Sequence, residues 1–207
     1  TDRNIVLVFD ECTSGFRQSF GGLHLIYGVE PDIAIFGKAL GNGYPICAIL
    51  GKRSVMEAAE SSFISSTFWT EKIGFVAAIA TLRQMDNIKA QKSMVRYGKN
   101  ITDIWNNSAK MYGLDIHVGG IAPLSHIVFN CDEPLAVMTL YAQEMLDKGY
   151  LLGSAVYTTS SYTDDIIANF GVATEEVFLL ISNAIKSESV ISRLKGGIIQ
   201  TAFKRLA

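Results

Sequence analysis

Two residues with reactive side chains stand where short apolar runs stop. Asp10 closes the run Ile5 to Phe9 (IVLVF), and Lys38 follows the run Ile33 to Phe36 (IAIF) across a single glycine, Gly37. Short continuous apolar runs read as strands covered on both faces, as in a parallel sheet. A carboxylate at the C-terminal end of such a strand sits where open α/β sheets bind ligands, although a turn residue or helix N-cap would occupy the same place. A lysine emerging from a buried strand can lose its water and act as a nucleophile towards aldehydes; a solvated loop lysine is the plainer alternative. Gly37, Gly41 and Gly43 around it let backbone or ligand approach closely.

Other chemistries find less support. Gly51-Lys52 suggests a phosphate loop, but Ile46 stands where its first glycine belongs and Arg53 where Ser or Thr is needed. No G-x-G-x-x-G follows a strand. His24, His117 and His126 lack metal-ligand spacing, so no metal is expected. Cys12, Cys47 and Cys131 are odd in number and far apart, which favours reduced thiols in the cytoplasm over a disulfide framework. A net charge of −2 without basic runs gives no reason to expect nucleic acid or an anionic membrane as partner. With 49% apolar and 18% charged residues in 207, the composition is that of an ordinary globular chain. It holds neither a secretory signal nor an apolar stretch of about 18 residues.

The elements that would position Asp10 and Lys38 can be read from the same patterns. A third apolar run, Ile46 to Leu50, completes three short strands joined by glycine-rich turns, the interior of an α/β domain. Helices are predicted over Ser54 to Glu60, with Ser54 as N-cap, over Lys72 to Met85, and over Ile88 to Tyr112, ended by Gly113. Strands at Ile116 to Val118 and His126 to Asn130, a helix from Pro134 to Lys148, a strand at Tyr150 to Gly153 and a helix from Thr174 to Ser187, with Glu176 in its first turn, form a compact α+β domain. The boundary is expected near residues 85 to 95, giving domains 1–88 and 89–207.

Taken together, VFDECTSGFR and PDIAIFGKALGNGYPI, with 28 residues from Asp10 to Lys38, resemble the core of class III aminotransferases, the group that includes glutamate-1-semialdehyde aminomutase. The resemblance is strong from about Asn4 to Met85 and weaker beyond. It implies part of a pyridoxal-phosphate (PLP) fold type I large domain, an α/β fold with a mostly parallel sheet, followed by a small α+β C-terminal domain. It implies PLP as cofactor, Lys38 as its Schiff-base lysine, and Asp10 as the partner of the protonated pyridine nitrogen. Cys12 would lie against the ring face, and Thr67 would bind the phosphate of the neighbouring subunit's cofactor in a homodimer. Beyond Thr67 the family often reads T-x-S-G-x-P; here Thr67-Phe68-Trp69-Thr70-Glu71-Lys72 stands instead, which points to a different substrate loop. Tyr157 to Tyr162 would reach the active-site mouth or form a polar surface loop, and His24 and Trp69 read as packing or entrance residues.

The implied function is transfer of an amino group between a small-molecule donor and a carbonyl acceptor, or the intramolecular version carried out by an aminomutase. The family's glycine- and serine-rich phosphate loop and its ring-stacking aromatic would lie upstream of Asp10. Because the chain opens on Thr1 and enters a strand almost at once, a preceding part of a longer protein is expected. A catalytically incomplete fragment is the remaining alternative.

Overall fold

A computed structural model describes residues 5–200. The chain divides into two compact units, Thr1–Val95 and Arg96–Ala207, each with its own three-stranded sheet.

The first unit contains β1 (Val8–Glu11), α1 (His24–Tyr27), β2 (Ile33–Phe36), β3 (Ala48–Gly51), α2 (Arg53–Met56) and α3 (Lys72–Ile88). β1 runs parallel to β2, with Val8 opposite Ile33 and Glu11 opposite Phe36. β3 returns antiparallel, with Ala48 opposite Phe36. The first strand starts later than its apolar run because pairing at Leu7 becomes a clasp rather than a ladder. The Leu7 carbonyl accepts from both Asp32 N and Ile33 N, at 2.9 and 3.1 Å, and Leu7 N donates to Asp32 Oδ2 at 2.8 Å. Nor is β1 covered on both faces, since Val8 is exposed and β2 is its one strand partner among the described residues. The core here is small: Ala34, Phe36, Leu40 and Ala78, with Phe16, Ile46, Ala48 and Leu82 packed against it.

The helix predicted from Ser54 begins at Arg53, without a side-chain cap, and after Met56 tightens into a 3-10 turn over Glu57–Ser61. α3 is capped by Glu71, whose carboxylate accepts from Ile73 N at 2.8 Å. It ends at Lys89, which adopts a left-handed conformation with φ of 51°. The long amphipathic helix therefore begins one residue further on, as α4 (Ala90–Tyr112), and the division between the units falls within it.

The second unit continues with β4 (Ile116–Ile121), β5 (Leu124–Phe129), α5 (Pro134–Asp147), β6 (Ala155–Tyr157) and α6 (Asp164–Lys186). All its strands pair antiparallel, in the order β4-β5-β6. The last strand lies five residues beyond the predicted Tyr150 start, because pairing with β5 fixes it. Leu124 stands opposite Tyr157, Ile127 N donates to Ser154 O at 2.8 Å, and Leu151 is 91% exposed. α6 also begins earlier than expected. Thr163 caps it by accepting from Ile166 N at 3.2 Å, and Asp164 and Asp165 complement the helix dipole in its first turn. Thr174, the predicted start, is a fully buried interior residue.

The core of this unit is dense. Phe129, Tyr141 and Phe178 meet edge-on with ring centroids 5.6–5.8 Å apart, and Trp105 Nε1 donates to the Tyr141 hydroxyl at 2.9 Å. Burial holds that hydroxyl well above the usual tyrosine range. Gly98 of α4 passes so close to the β4–β5 turn that a Cβ would stand 1.9 Å from Ala122 O, so a larger residue there would force the two apart. Among the described residues, no helix is long and apolar enough to cross a membrane.

Candidate active site

Because β1 and β2 are parallel neighbours, they end on the same edge of the sheet. Asp10 is the third residue of β1 and pairs with Ile35; Lys38 stands two residues beyond β2. Parallel pairing thus brings together two residues that the sequence separates by 28 positions. After Glu11 the chain turns, with Gly15 N donating to Glu11 O at 2.8 Å. The Lys38 amine reaches into this turn and donates to Thr13 Oγ1. Asp10 Oδ1 accepts from Cys12 N at 3.0 Å. The amine therefore ends three residues along the chain from Asp10, on the far side of Cys12.

Lys38 opens a short 3-10 turn and holds φ at 42°, in the left-handed region that side chains other than glycine seldom adopt. Gly41 N and Asn42 N both donate to its carbonyl, at 3.2 and 3.0 Å, which fixes that backbone. The expected desolvation is not observed: Lys38 and Asp10 are both exposed, because none of the described residues covers this edge. Neither makes an ion pair among the described residues: the amine is held by a neutral hydroxyl and the carboxylate by a backbone N–H.

Cys12 is half-buried. One step beyond the last ladder pairs, Glu11 with Phe36 and Phe36 with Ala48, the next row across the sheet is Cys12, Gly37, Cys47. A Cβ on Gly37 would stand 2.9 Å from Cys12 Sγ and 3.2 Å from Cys47 Sγ. The two thiols fill the space above the glycine, and a side chain at position 37 would press on both.

Beneath this row lies a charge that sequence reasoning passed over. Glu11 is 1% exposed. Its Oε2 accepts from Ser14 Oγ; its Oε1 accepts from His24 N at 3.2 Å and lies 3.3 Å from His24 Nδ1. A buried carboxylate is tolerated only with such partners. His24 also packs edge-on against Phe9 and Phe36, so its role is to anchor the turn that carries Cys12 and Thr13. Thr13 was missed as well, since its contact spans 25 residues and depends on strand pairing. The signal available was its place in the turn directly after Asp10.

Thr67 is not joined to this group. It is exposed in a turn before α3, and no described hydrogen bond links it to Asp10 or Lys38. Trp69 and Phe68 line an open cavity of about 510 Å³ with Ile46, Cys47, Glu71 and Phe75. Tyr157 to Tyr162 belong to the second unit. There Thr158 N donates to Pro123 O at 3.1 Å, and Tyr162 meets Tyr97 edge-on at 6.1 Å between centroids.

Comparison with known proteins gives the chain's family and fold. The family model for class-III aminotransferases matches residues 1–161. Glutamate-1-semialdehyde 2,1-aminomutase of Methanocaldococcus jannaschii is 31% identical over 194 residues, covering 86% of this chain and 45% of that protein. The 3-aminobutyryl-CoA aminotransferase of Cloacimonas acidaminovorans is 36% identical over 129 residues, covering 62% and 31%. Among solved structures, the FumI protein of a Sphingopyxis species, in its PLP internal aldimine form, superimposes with a TM-score of 0.82 at 26% identity, covering 90% of this chain and 45% of that one. The chain spans less than half the length of these relatives, and its α/β architecture is that of part of a PLP fold type I transaminase. The chain belongs to the class-III aminotransferase family.

Proposed function

We propose that the whole protein is a PLP-dependent aminotransferase moving an amino group between a small-molecule amino donor and a carbonyl acceptor, with Lys38 as the residue that holds the cofactor. The observation that carries this reading is the shared sheet edge, where the Lys38 amine and the Asp10 carboxylate, neither of them in an ion pair among the described residues, emerge from parallel neighbours with no side chain at Gly37. The residues present fit the cofactor. An amine is the nucleophile that an aldehyde needs, and a carboxylate is the partner that a protonated pyridine nitrogen needs. When bound, PLP supplies an electron sink for the charge left on a substrate carbon after proton loss.

The chain's own residues do the rest. Asp10 would hold the proton on the ring nitrogen. Cys12, soft and half-buried beside Gly37, would pack against the ring face. Lys38 Nζ, once displaced by an amino substrate, would act as general base, taking the proton from the substrate α-carbon and delivering it to the cofactor's C4′ carbon. The relative named an aminomutase, at 31% identity, favours a second reading in which both halves of the transfer occur within one molecule. We assign Thr67 to the phosphate of a partner's cofactor in a homodimer, a role supported by its exposed hydroxyl and its separation from the Asp10–Lys38 group. We take residues 1–88 as large-domain sequence and 89–207 as the small domain, and the three free cysteines support a cytoplasmic setting.

Titration of the chain with PLP tests the reading. An absorbance band near the visible edge that Lys38→Ala abolishes is the expected result. Folded protein with a featureless spectrum would favour a catalytically incomplete fragment. Sedimentation showing a PLP-bound monomer would remove Thr67 from its assigned role.

A further inference from the structure

We propose that Thr13 is a positioning residue that holds the Lys38 amine whenever that amine is not attached to the cofactor, an inference that deepens the proposed function and rests on it. The Lys38 amine donates to Thr13 Oγ1, and this is its one described partner. Two carboxylates stand in the same stretch of chain, yet neither takes the amine. Asp10 Oδ1 is engaged by Cys12 N, and Glu11 is turned inward to Ser14 and His24. A neutral hydroxyl is left as the acceptor.

That choice has a chemical consequence. A lysine ammonium on a carboxylate adds the attraction of opposite charges to the hydrogen bond, and such a pair would resist release more than a bond to a neutral hydroxyl. A lysine that must alternately hold a carbonyl carbon and stand free needs a partner that is near, fixed and easily given up. Thr13 meets these conditions. Its carbonyl accepts from Arg17 Nε at 2.8 Å, which ties its backbone into the turn. Its β-branch restricts χ1, so the hydroxyl is aimed before the amine arrives. Lys38 in turn has its backbone fixed by two hydrogen bonds to its carbonyl, leaving the flexible stem to swing between Thr13 and the cofactor.

Holding the free amine lowers the free energy of the detached state. Thr13→Val keeps the branch and the volume but removes the acceptor, so Lys38 should become more available in two separate measurements. Acetylation of Lys38 by a small reagent without PLP, followed by peptide mass spectrometry, should speed up about two- to tenfold, the span of one net hydrogen bond. Lys52, ion-paired with Asp32 at 3.0 Å, should be unchanged in the same digest. PLP titration should show tighter attachment by a similar factor. Thr13→Ser restores the hydroxyl without the branch and should bring both values most of the way back to those of the native chain, which a merely structural defect would not allow. Equal acetylation of Lys38 in the native chain and Thr13→Val would overturn the proposal, as would Val and Ser variants that behave alike. If the native chain takes up no PLP while its Lys38 acetylation still depends on Thr13, the assignment of Thr13 stands and the proposed function fails.

Discussion

The two units are built on opposite terms. In Arg96–Ala207, Trp105, Tyr141, Phe178, Ile127, Leu140 and Met145 are completely or almost completely buried around one aromatic centre. Among the described residues of Thr1–Val95, the buried cluster at the sheet holds four residues, Ala34, Phe36, Leu40 and Ala78, while Phe63, Phe68, Trp69 and Leu50 stand exposed. The reactive residues all belong to the thinly packed unit. Stability should therefore respond most to changes in one unit and cofactor chemistry to changes in the other, and substitutions can separate the two.

The largest effect is expected at Phe178. Its truncation to Ala removes a fully buried ring that touches both Phe129 and Tyr141 and should lower stability by about 3–5 kcal/mol. Denaturant unfolding followed by tryptophan fluorescence would report it through Trp105. PLP capture by the protein that remains folded should be unchanged. A parallel loss of capture would show that the two units do not divide stability and chemistry in this way.

Gly37→Ala tests the other unit. The added methyl meets Cys12 Sγ and Cys47 Sγ inside van der Waals distance, and overpacking of this kind costs about 1–3 kcal/mol. Because the clash sits next to Lys38, the PLP-dependent absorbance should fall further than stability does. Pairing the change with Cys47→Ala, which empties one side of the row, should restore part of both.

His24→Ala should be milder for the fold. It removes one partner of a buried carboxylate while Ser14 and the backbone N–H at position 24 remain, a loss of about 0.5–1.5 kcal/mol. The Cys12–Thr13 turn should loosen, seen as faster hydrogen exchange at Gly15, whose N–H closes it.

How much of this was legible in the sequence follows the same contrast. Asp10 and Lys38 could be read because each closes an apolar run, a local pattern that parallel pairing turns into proximity. α5 and α3 began where Pro134 and Lys72 predicted, since their start signals are local too. What escaped was set by distant partners. Thr13 acquires its contact only when β1 and β2 align. β6 is placed by β5 rather than by its own residues. The break between the two long helices, expected after Met85, falls at Lys89 instead, where the backbone turns left-handed. Thr174 carries the letter of an N-cap but faces a core assembled from three other elements.

The smallest effect is a pH dependence at the start of the sheet. Asp32 accepts from Leu7 N at 2.8 Å and from Lys52 Nζ at 3.0 Å. The hydrogen bond from Leu7, then that from Lys52, holds its carboxyl below the usual aspartate value of 3.8. A carboxylate with a lowered folded-state value contributes stability that is fully present above the unfolded value and is lost as pH falls through the folded one. The first unit should therefore lose a small increment of stability below about pH 4, while neutral and mildly acidic solutions leave it untouched. Asp32→Asn keeps an acceptor for Leu7 but cannot titrate, so its stability should be lower at neutral pH and flatter through the acid range. Exchange of the Ile33 amide, which donates to the Leu7 carbonyl, reads the clasp directly. An acid-induced rise in that exchange that persists in Asp32→Asn would mean that another group governs where β1 begins.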